Sequence, residues 1–536
     1  MHHHHHHSSK RRQFLGLAAA LPVVTTFGGW TLFNHAVSAP RFDNTLFLPG
    51  SDGPFAVLAP DAPFTLVAEQ GWLPVPGRSE TPFLWYRTQV NGADYQNPIL
   101  LLRTGDELDV TLDNQLDEGT IIHWHGLHVP GREDGHPIHT VDPGDQYEYR
   151  FKVTNRGGTY WYHTHAHHRT ARQAHQGLAS FLLVGDDDND ALNEALDLQL
   201  GSTDLPLVLQ DKRFDRLGHL VYQPNPMQGM MGYLGDEVLV NMTPSASHEV
   251  ERRIHRLRLL NGSTARIYRL ALRSDGDTVP FQVIGTDAGL LESPREVNEA
   301  FLSPGERLEV LVDFAAFAGG DRVELHSLEF DPMAGGGMMG RGSMGRGMGG
   351  GGMGRMMGGA MHDGDPLALL EFVVREGEAV TARVPERLSR IEPIDVTDAR
   401  ERDIRLDMAP MQWRINGEVY DPDRVPIEVD ADTKEVWVIR NADHSMPHPM
   451  HIHGFSFQVL SRSGGPDFVR EQAVNDDGLT VADLGWKDTV LLWPGETVRI
   501  AIDFTHDYDG DQLYVFHCHN LEHEDNDMMV NVRVRA

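Results

Sequence analysis

His517-Cys518-His519-Asn520-Leu521-Glu522-His523-Glu524-Asp525-Asn526-Asp527-Met528-Met529 holds the only cysteine of the chain, set among histidines and followed by two methionines. A thiolate, an imidazole five residues on and a thioether ten residues on are the ligand set of a blue-copper site, once a second His is found. Successive side chains of a β-strand point to opposite faces. If the stretch is a strand, Cys518 faces one metal while His517 and His519 face another, which wires an electron-accepting copper to a second metal site.

Three further His-x-His pairs stand in the chain: His123-Trp124-His125, His163-Thr164-His165 and His451-Ile452-His453. At strand spacing each pair presents both imidazoles to one side. Eight imidazoles from four strand ends can hold more than one copper. Two pairs lie in the N-terminal third and two in the C-terminal third, so the cluster is expected between domains, a usual place for a site. His448, in His448-Pro449-Met450-His451-Ile452-His453, supplies the missing ligand beside Cys518, His523 and axial Met528. Met529 competes for the axial place, but on a strand it faces away from Met528.

The bulk properties suit this reading. At 536 residues the chain is expected to form two to four domains. Lys plus Arg number 46 against 78 Asp plus Glu, a net charge of −32, which argues against nucleic-acid or anionic-membrane partners. One Cys excludes an intramolecular disulfide. His2 to His7 is a tag, followed by Lys10-Arg11-Arg12-Gln13-Phe14-Leu15 and an apolar run, the pattern of a twin-arginine export signal with cleavage near Ala39. A periplasmic protein is expected, soluble and monomeric once mature. A tag ahead of a cleavable signal is lost on export, so the tagged chain is expected to stay in the cytoplasm.

Strand signals dominate: Glu107 to Leu112, Tyr147 to Val153, Leu205 to Gln210, Arg307 to Asp313, Val436 to Arg440 and Thr497 to Asp503. Pro143-Gly144-Asp145, Pro304-Gly305-Glu306 and Pro494-Gly495-Glu496 each precede such a strand, a weak internal repeat that suggests three related all-β sandwich domains. Asp186 to Asp190 opens one polar connector and Glu376 to Arg402 forms another. The expected division is 1–40 tag and signal, 41–190, 191–390 and 391–536. Residues 333–361 are nearly all Gly and Met, with nine Met and three Arg, and are expected to form a mobile insertion in the second domain.

His123-Trp124-His125-Gly126, Trp161-Tyr162-His163-Thr164-His165, His448 to Gly454 and the Cys518 stretch resemble the four copper motifs of the multicopper oxidases, most closely the bacterial periplasmic cuprous oxidases of copper efflux and resistance. The resemblance extends to Leu259-Leu260-Asn261-Gly262-Ser263 and Trp486-Lys487-Asp488-Thr489-Val490. It implies three cupredoxin-like Greek-key domains and four copper ions. By resemblance, His448, Cys518, His523 and Met528 bind the type 1 copper, and His123 and His451 the type 2 copper. His125, His163 and His519 hold one type 3 copper, and His165, His453 and His517 the other. Asp134 and Glu524 stand where the family has its proton-relay acids. Structural hydrogen bonding is the alternative role for both.

The family chemistry is one-electron oxidation of a substrate coupled to reduction of O2 to water. Thioethers select Cu(I), so the Met-rich segment points to Cu(I) as substrate, with phenols as side substrates and copper tolerance as the setting. Met227, Met230 and Met231 add to the thioether supply. The candidate Cu(I) contacts are Met446, Asp443, Met353, Met356, Met357 and Met361. His444 stands where close relatives carry an acid. The alternatives are a general laccase acting on phenols or aromatic amines and a non-enzymatic copper-sequestering protein.

Overall fold

A computed structural model describes residues 41–50, 53–78, 80–334, 361–409 and 412–536. The expected tag and export signal, and Met353, Met356 and Met357, lie outside the described residues. The described strands form six sheets, and these share three apolar cores in pairs.

The repeat has a structural basis. Asp142, Ser303 and Trp493 each accept, through the carbonyl, a hydrogen bond from the amide three residues on, at 3.1, 3.0 and 3.1 Å. Gly144, Gly305 and Gly495 take φ of +84°, +84° and +71°. Pro followed by a left-handed Gly is the signature of a type II turn. Each turn feeds a strand: Gln146–Lys152, Arg307–Asp313 and Thr497–Asp503. These lie antiparallel to Glu107–Asn114, Ile254–Asn261 and Lys434–Asn441. Those three in turn run parallel to Phe64–Pro74, Asp204–Lys212 and Arg400–Ala409. The same ladder is thus built three times.

The first core packs Leu66, Val110, Tyr149 and Phe151 of one sheet against Trp124, Tyr162 and Leu182 of the other. The middle core is of the same kind, around Leu207, Leu257, Val310 and Phe372. The third buries Trp437, Ile500 and Phe516 together with Cys518 and Met528. The Met/Gly insertion falls between Arg322–Ser327 and Leu367–Val374, paired antiparallel strands of a middle sheet.

The Asp-rich connector opens as a helix. Asp187–Leu196 is an α-helix capped by the Asp186 side chain, which accepts from the Asn189 amide. Asp187, Asp188 and Asp190 sit in its first turn, where the helix dipole favours negative charge. Leu192 and Leu196 are buried. A run of Asp reads as solvated chain, but at a helix N-terminus it is a start signal.

Asp204 ties the middle core together. It is buried and binds both Arg256 and Arg258, the latter at 2.8 Å. Burial works to raise its pKa, but the two arginines outweigh this and hold it to about 2. A depressed pKa contributes stability above the unfolded value near 4 that is lost as pH falls toward 2. Asp204→Asn is therefore expected to cost about 3 kcal/mol at pH 7, the scale of a broken buried pair. The deficit should shrink at pH 3. Urea denaturation at the two pH values tests this, and equal deficits would refute it.

Candidate metal centre

Four strand ends converge where the first and third cores meet. His123 and His125 lie on Ile122–His125, and His163 on Gly158–Thr164 with His165 one residue beyond. His451 lies on His448–Ile452 with His453 one residue beyond. His517 and Cys518 close Gln512–Cys518, and His519 follows. Register sets His163 opposite His123 and His517 opposite His451. All ten candidate histidines and Cys518 are buried.

Among the groups of described residues that could hold a metal ion are four: His123, His125 and His451; His125, His163 and His519; His165, His453 and His517; and His448, Cys518 and His523. In the last, Cys518 Sγ lies 3.5 Å from both His448 Nδ1 and His523 Nδ1. Met528 shares the core cluster of Cys518, whereas Met529 packs with Tyr420 and Val515. The strand alternation expected at Cys518 is observed, with His517 and His519 turned to the other groups.

The outer hydrogen bonds decide the tautomers. His123 Nδ1 donates to the Asp134 carbonyl at 2.7 Å and His453 Nδ1 to Asp134 Oδ2 at 2.6 Å. His451 Nδ1 donates to the Asp488 carbonyl at 2.8 Å, and His125 Nε2 to Asp488 Oδ1 at 3.0 Å. His163 Nδ1 bonds the Thr164 carbonyl and His517 Nδ1 the Cys518 carbonyl. His523 Nε2 bonds the Met230 carbonyl at 2.9 Å, and His448 Nε2 meets Ser445 Oγ at 3.1 Å. A neutral imidazole whose proton is committed outward turns a lone pair inward.

Burial pushes His163 down to about 4 and His165 and His523 to about 3, which keeps those three rings neutral. Inward nitrogens approach closely: His123 Nε2 to His451 Nε2 at 3.2 Å, and His453 Nε2 to His517 Nε2 at 3.1 Å. Lone pairs this close repel unless a cation lies between them. Metal–imidazole bonds of about 2.0–2.1 Å place adjacent nitrogens at such separations. Thiolate and imidazole together fit copper.

Among the described residues Asp134 Oδ1 has no hydrogen-bond partner, and burial pushes its carboxyl well above the usual range. Glu524 Oε2 lies 3.2 Å from His517 Nδ1 and Oε1 lies 3.7 Å from His165 Nε2. Neither Glu524 oxygen makes a hydrogen bond among the described residues. Met446 is buried in the Cys518 cluster, while Asp443 is exposed. Met361 is half-buried, its carbonyl held by Arg266.

The sequence reading missed four contributors. Asp488 orients two histidines, and Arg307 of the middle core holds Asp488. The Met230 carbonyl accepts from both His523 Nε2 and Trp413 Nε1, each at 2.9 Å. The Trp413 ring packs against His448 and His523. One signal was present: the middle Pro-Gly-acid turn is followed by Arg307, where the other two are followed by Gln146 and Thr497.

Residues 86–189 and 394–536 match two sequence patterns, both described as multicopper oxidase. A multicopper oxidase, mco, of Staphylococcus haemolyticus is 31% identical over 82% of this chain and 81% of its own. The cell division protein FtsP of Yersinia pestis is 33% identical over 81% of this chain and 82% of its own. The crystal structure of the McoA multicopper oxidase from Aquifex aeolicus superposes with a TM-score of 0.79 at 38% identity, covering 92% of this chain and 99% of that one.

Proposed function

The chain belongs to the multicopper oxidase family, and from that premise we propose that it couples one-electron oxidation of Cu(I) to four-electron reduction of O2 to water. The observation that carries the oxidase reading is covalent: Cys518 of one metal-holding group is joined by single peptide bonds to His517 and His519 of two others. His448, Cys518, His523 and Met528 would hold the type 1 copper. His123 and His451 would hold type 2, His125, His163 and His519 one type 3 ion, and His165, His453 and His517 the second. Four coppers bound there would supply stepwise electron acceptance, storage and delivery to O2.

The remaining work falls to the chain. Asp134 keeps His453 and, through its carbonyl, His123 in the tautomers that face the cluster. Its buried Oδ1 is a place to hold a proton. Glu524, beside His165 and His517, is a second proton carrier for water formation.

Met333 supports Cu(I) as the reductant. Its side chain packs against the core cluster that contains Met446, Cys518 and Met528. The Met/Gly segment therefore begins against the third core, the one that carries the expected type 1 ligands, with thioethers that suit a soft cation. Copper tolerance in the periplasm, reached through the twin-arginine signal, is the setting we propose. Among the described residues no helix is long and apolar enough to cross a membrane.

Deletion of residues 333–361 is expected to lower kcat/KM for Cu(I) about tenfold or more, the effect of about 1.4 kcal/mol of lost capture. Oxidation of a small phenol should survive or rise. Unchanged Cu(I) turnover after deletion would sink the substrate assignment. A laccase-like reading has one specific support, a cleft of about 600 Å³ lined by Trp413, Met230, Tyr222 and Glu522 beside His523. Against a non-enzymatic, copper-sequestering reading stands the presence of every candidate ligand group.

A further inference from the structure

Arg307 lies on the first position of a middle-core strand and is fully buried. No group of three ligands named above comes from that core. All five guanidinium N–H donors are nevertheless used around the cluster. Nε donates to the Thr159 carbonyl at 3.0 Å, in the first core. Nη1 donates to the Gly305 carbonyl at 2.7 Å and to Asp488 Oδ1 at 2.9 Å. Nη2 donates to the Asp287 carbonyl at 2.8 Å and to Asp488 Oδ2. Arginine presents its donors in a fixed fork that matches a carboxylate, which lysine cannot do.

The held carboxylate is shared. Asp488 Oδ1 also accepts from His125 Nε2 at 3.0 Å and from Thr489 Oγ1 at 2.9 Å. The Asp488 carbonyl accepts from His451 Nδ1. Asp287 completes the frame: Oδ1 receives the Arg307 amide, and Oδ2 receives the amides of Asp488 and Thr489. Lys487 Nζ lies 2.9 Å from the same Oδ2. Space is closed as well, since a Cβ on Gly126 would meet Asp488 Oδ2 at 2.5 Å and Arg307 Nη2 at 2.9 Å.

We propose that Arg307 is a positioning residue of the three-copper cluster: its fork fixes the Asp488 carboxylate, which sets His125 as the tautomer with Nδ1 facing inward and holds His451 at its side. His125 Nδ1 lies 3.3 Å from His163 Nε2, on the inner side of the group. The middle core thereby acts on a metal centre to which it gives none of the grouped ligands. The inference rests on the copper assignment above.

The test is Arg307→Lys, which keeps the buried charge and removes the fork. Variant and wild type are loaded with copper and titrated with a chelator. Type 1 copper is followed by blue absorption, and cluster copper by metal analysis and the type 2 spin-resonance signal. Outer-sphere changes at metal sites weaken affinity by about 10–100-fold. The expected result is cluster copper lost at a chelator concentration lower by that factor, with type 1 copper retained as in wild type. Equal retention of cluster copper, or parallel loss of both classes, overturns the proposal.

Should Arg307→Lys fail to fold, Asp488→Asn is expected to give the same selective loss, and its full retention of cluster copper overturns the proposal equally. Wild-type protein that holds neither class would overturn the copper assignment and this inference together. Wild-type protein that holds both, with an unaffected variant, overturns the role of Arg307 alone.

Discussion

Cys518→Ser is expected to abolish the blue absorption and lower O2 consumption at least about 100-fold, while the cluster coppers stay bound. Even changes outside the ligand shell of a metal site cost on the order of 10–100-fold, and this one removes the thiolate itself. Burial alone pushes the Cys518 thiol pKa up. A bound metal reverses that by deprotonating a coordinating thiol outright. A serine hydroxyl offers neither the softness nor the anion. The fold should tolerate the change, because Ser is slightly smaller and its hydroxyl can take over the contacts of Cys518 to His448, His523 and the Asn520 backbone. Visible and spin-resonance spectra, metal analysis and an oxygen electrode give the answer. A variant that stays blue, or that turns over O2 at the wild-type rate, would falsify the assignment of Cys518.

The second large effect lies in the backbone. Gly135 has φ +86°, and a Cβ there would stand 2.0 Å from the Ile122 carbonyl oxygen and 2.7 Å from His123 Cα. Gly135→Ala must therefore move the strand that carries His123 and His125. Positive φ costs a non-glycine residue about 1–3 kcal/mol, and displacing backbone adds to this. We expect a loss of about 4 kcal/mol or more, among the largest single-residue effects, with weaker copper binding at His123. Gly144→Ala is the control, since it shares φ +84° but has nothing within 4 Å of its Cβ. Thermal unfolding of the two variants side by side separates collision from conformation. Equal Tm shifts would show that the contact with Ile122 is harmless.

Much of this centre was legible from residue spacing. Alternation along a strand was enough to turn Cys518 away from His517 and His519, and to separate Met528 from Met529. Three Pro-Gly-acid strings marked the same turn three times because proline and left-handed glycine leave the backbone little choice. The grouping of the histidines came from family resemblance, and spacing alone did not decide it. Asp488 and Arg307 stayed hidden for a physical reason. Asp488 lies 363 residues from His125 and 181 from Arg307, and contacts of that range leave no periodic trace in the chain. The helix that opens the Asp186 connector was not foreseen, because acidity marks both solvated chain and helix N-termini, and the buried Leu192 and Leu196 distinguish them.

The outward hydrogen bonds of eight histidines also bear on entropy. Each ring is already locked in one rotamer and one tautomer by a carbonyl, a carboxylate or, for His448, the Ser445 hydroxyl. Ordering a rotamer-rich side chain at a binding event costs about 0.5–1.5 kcal/mol each. Here that cost is met when the chain folds and not when an ion arrives. Metal uptake should therefore be fast and proceed without a change in far-ultraviolet circular dichroism, as expected of a rigid receptor and not of a segment that folds around its ion.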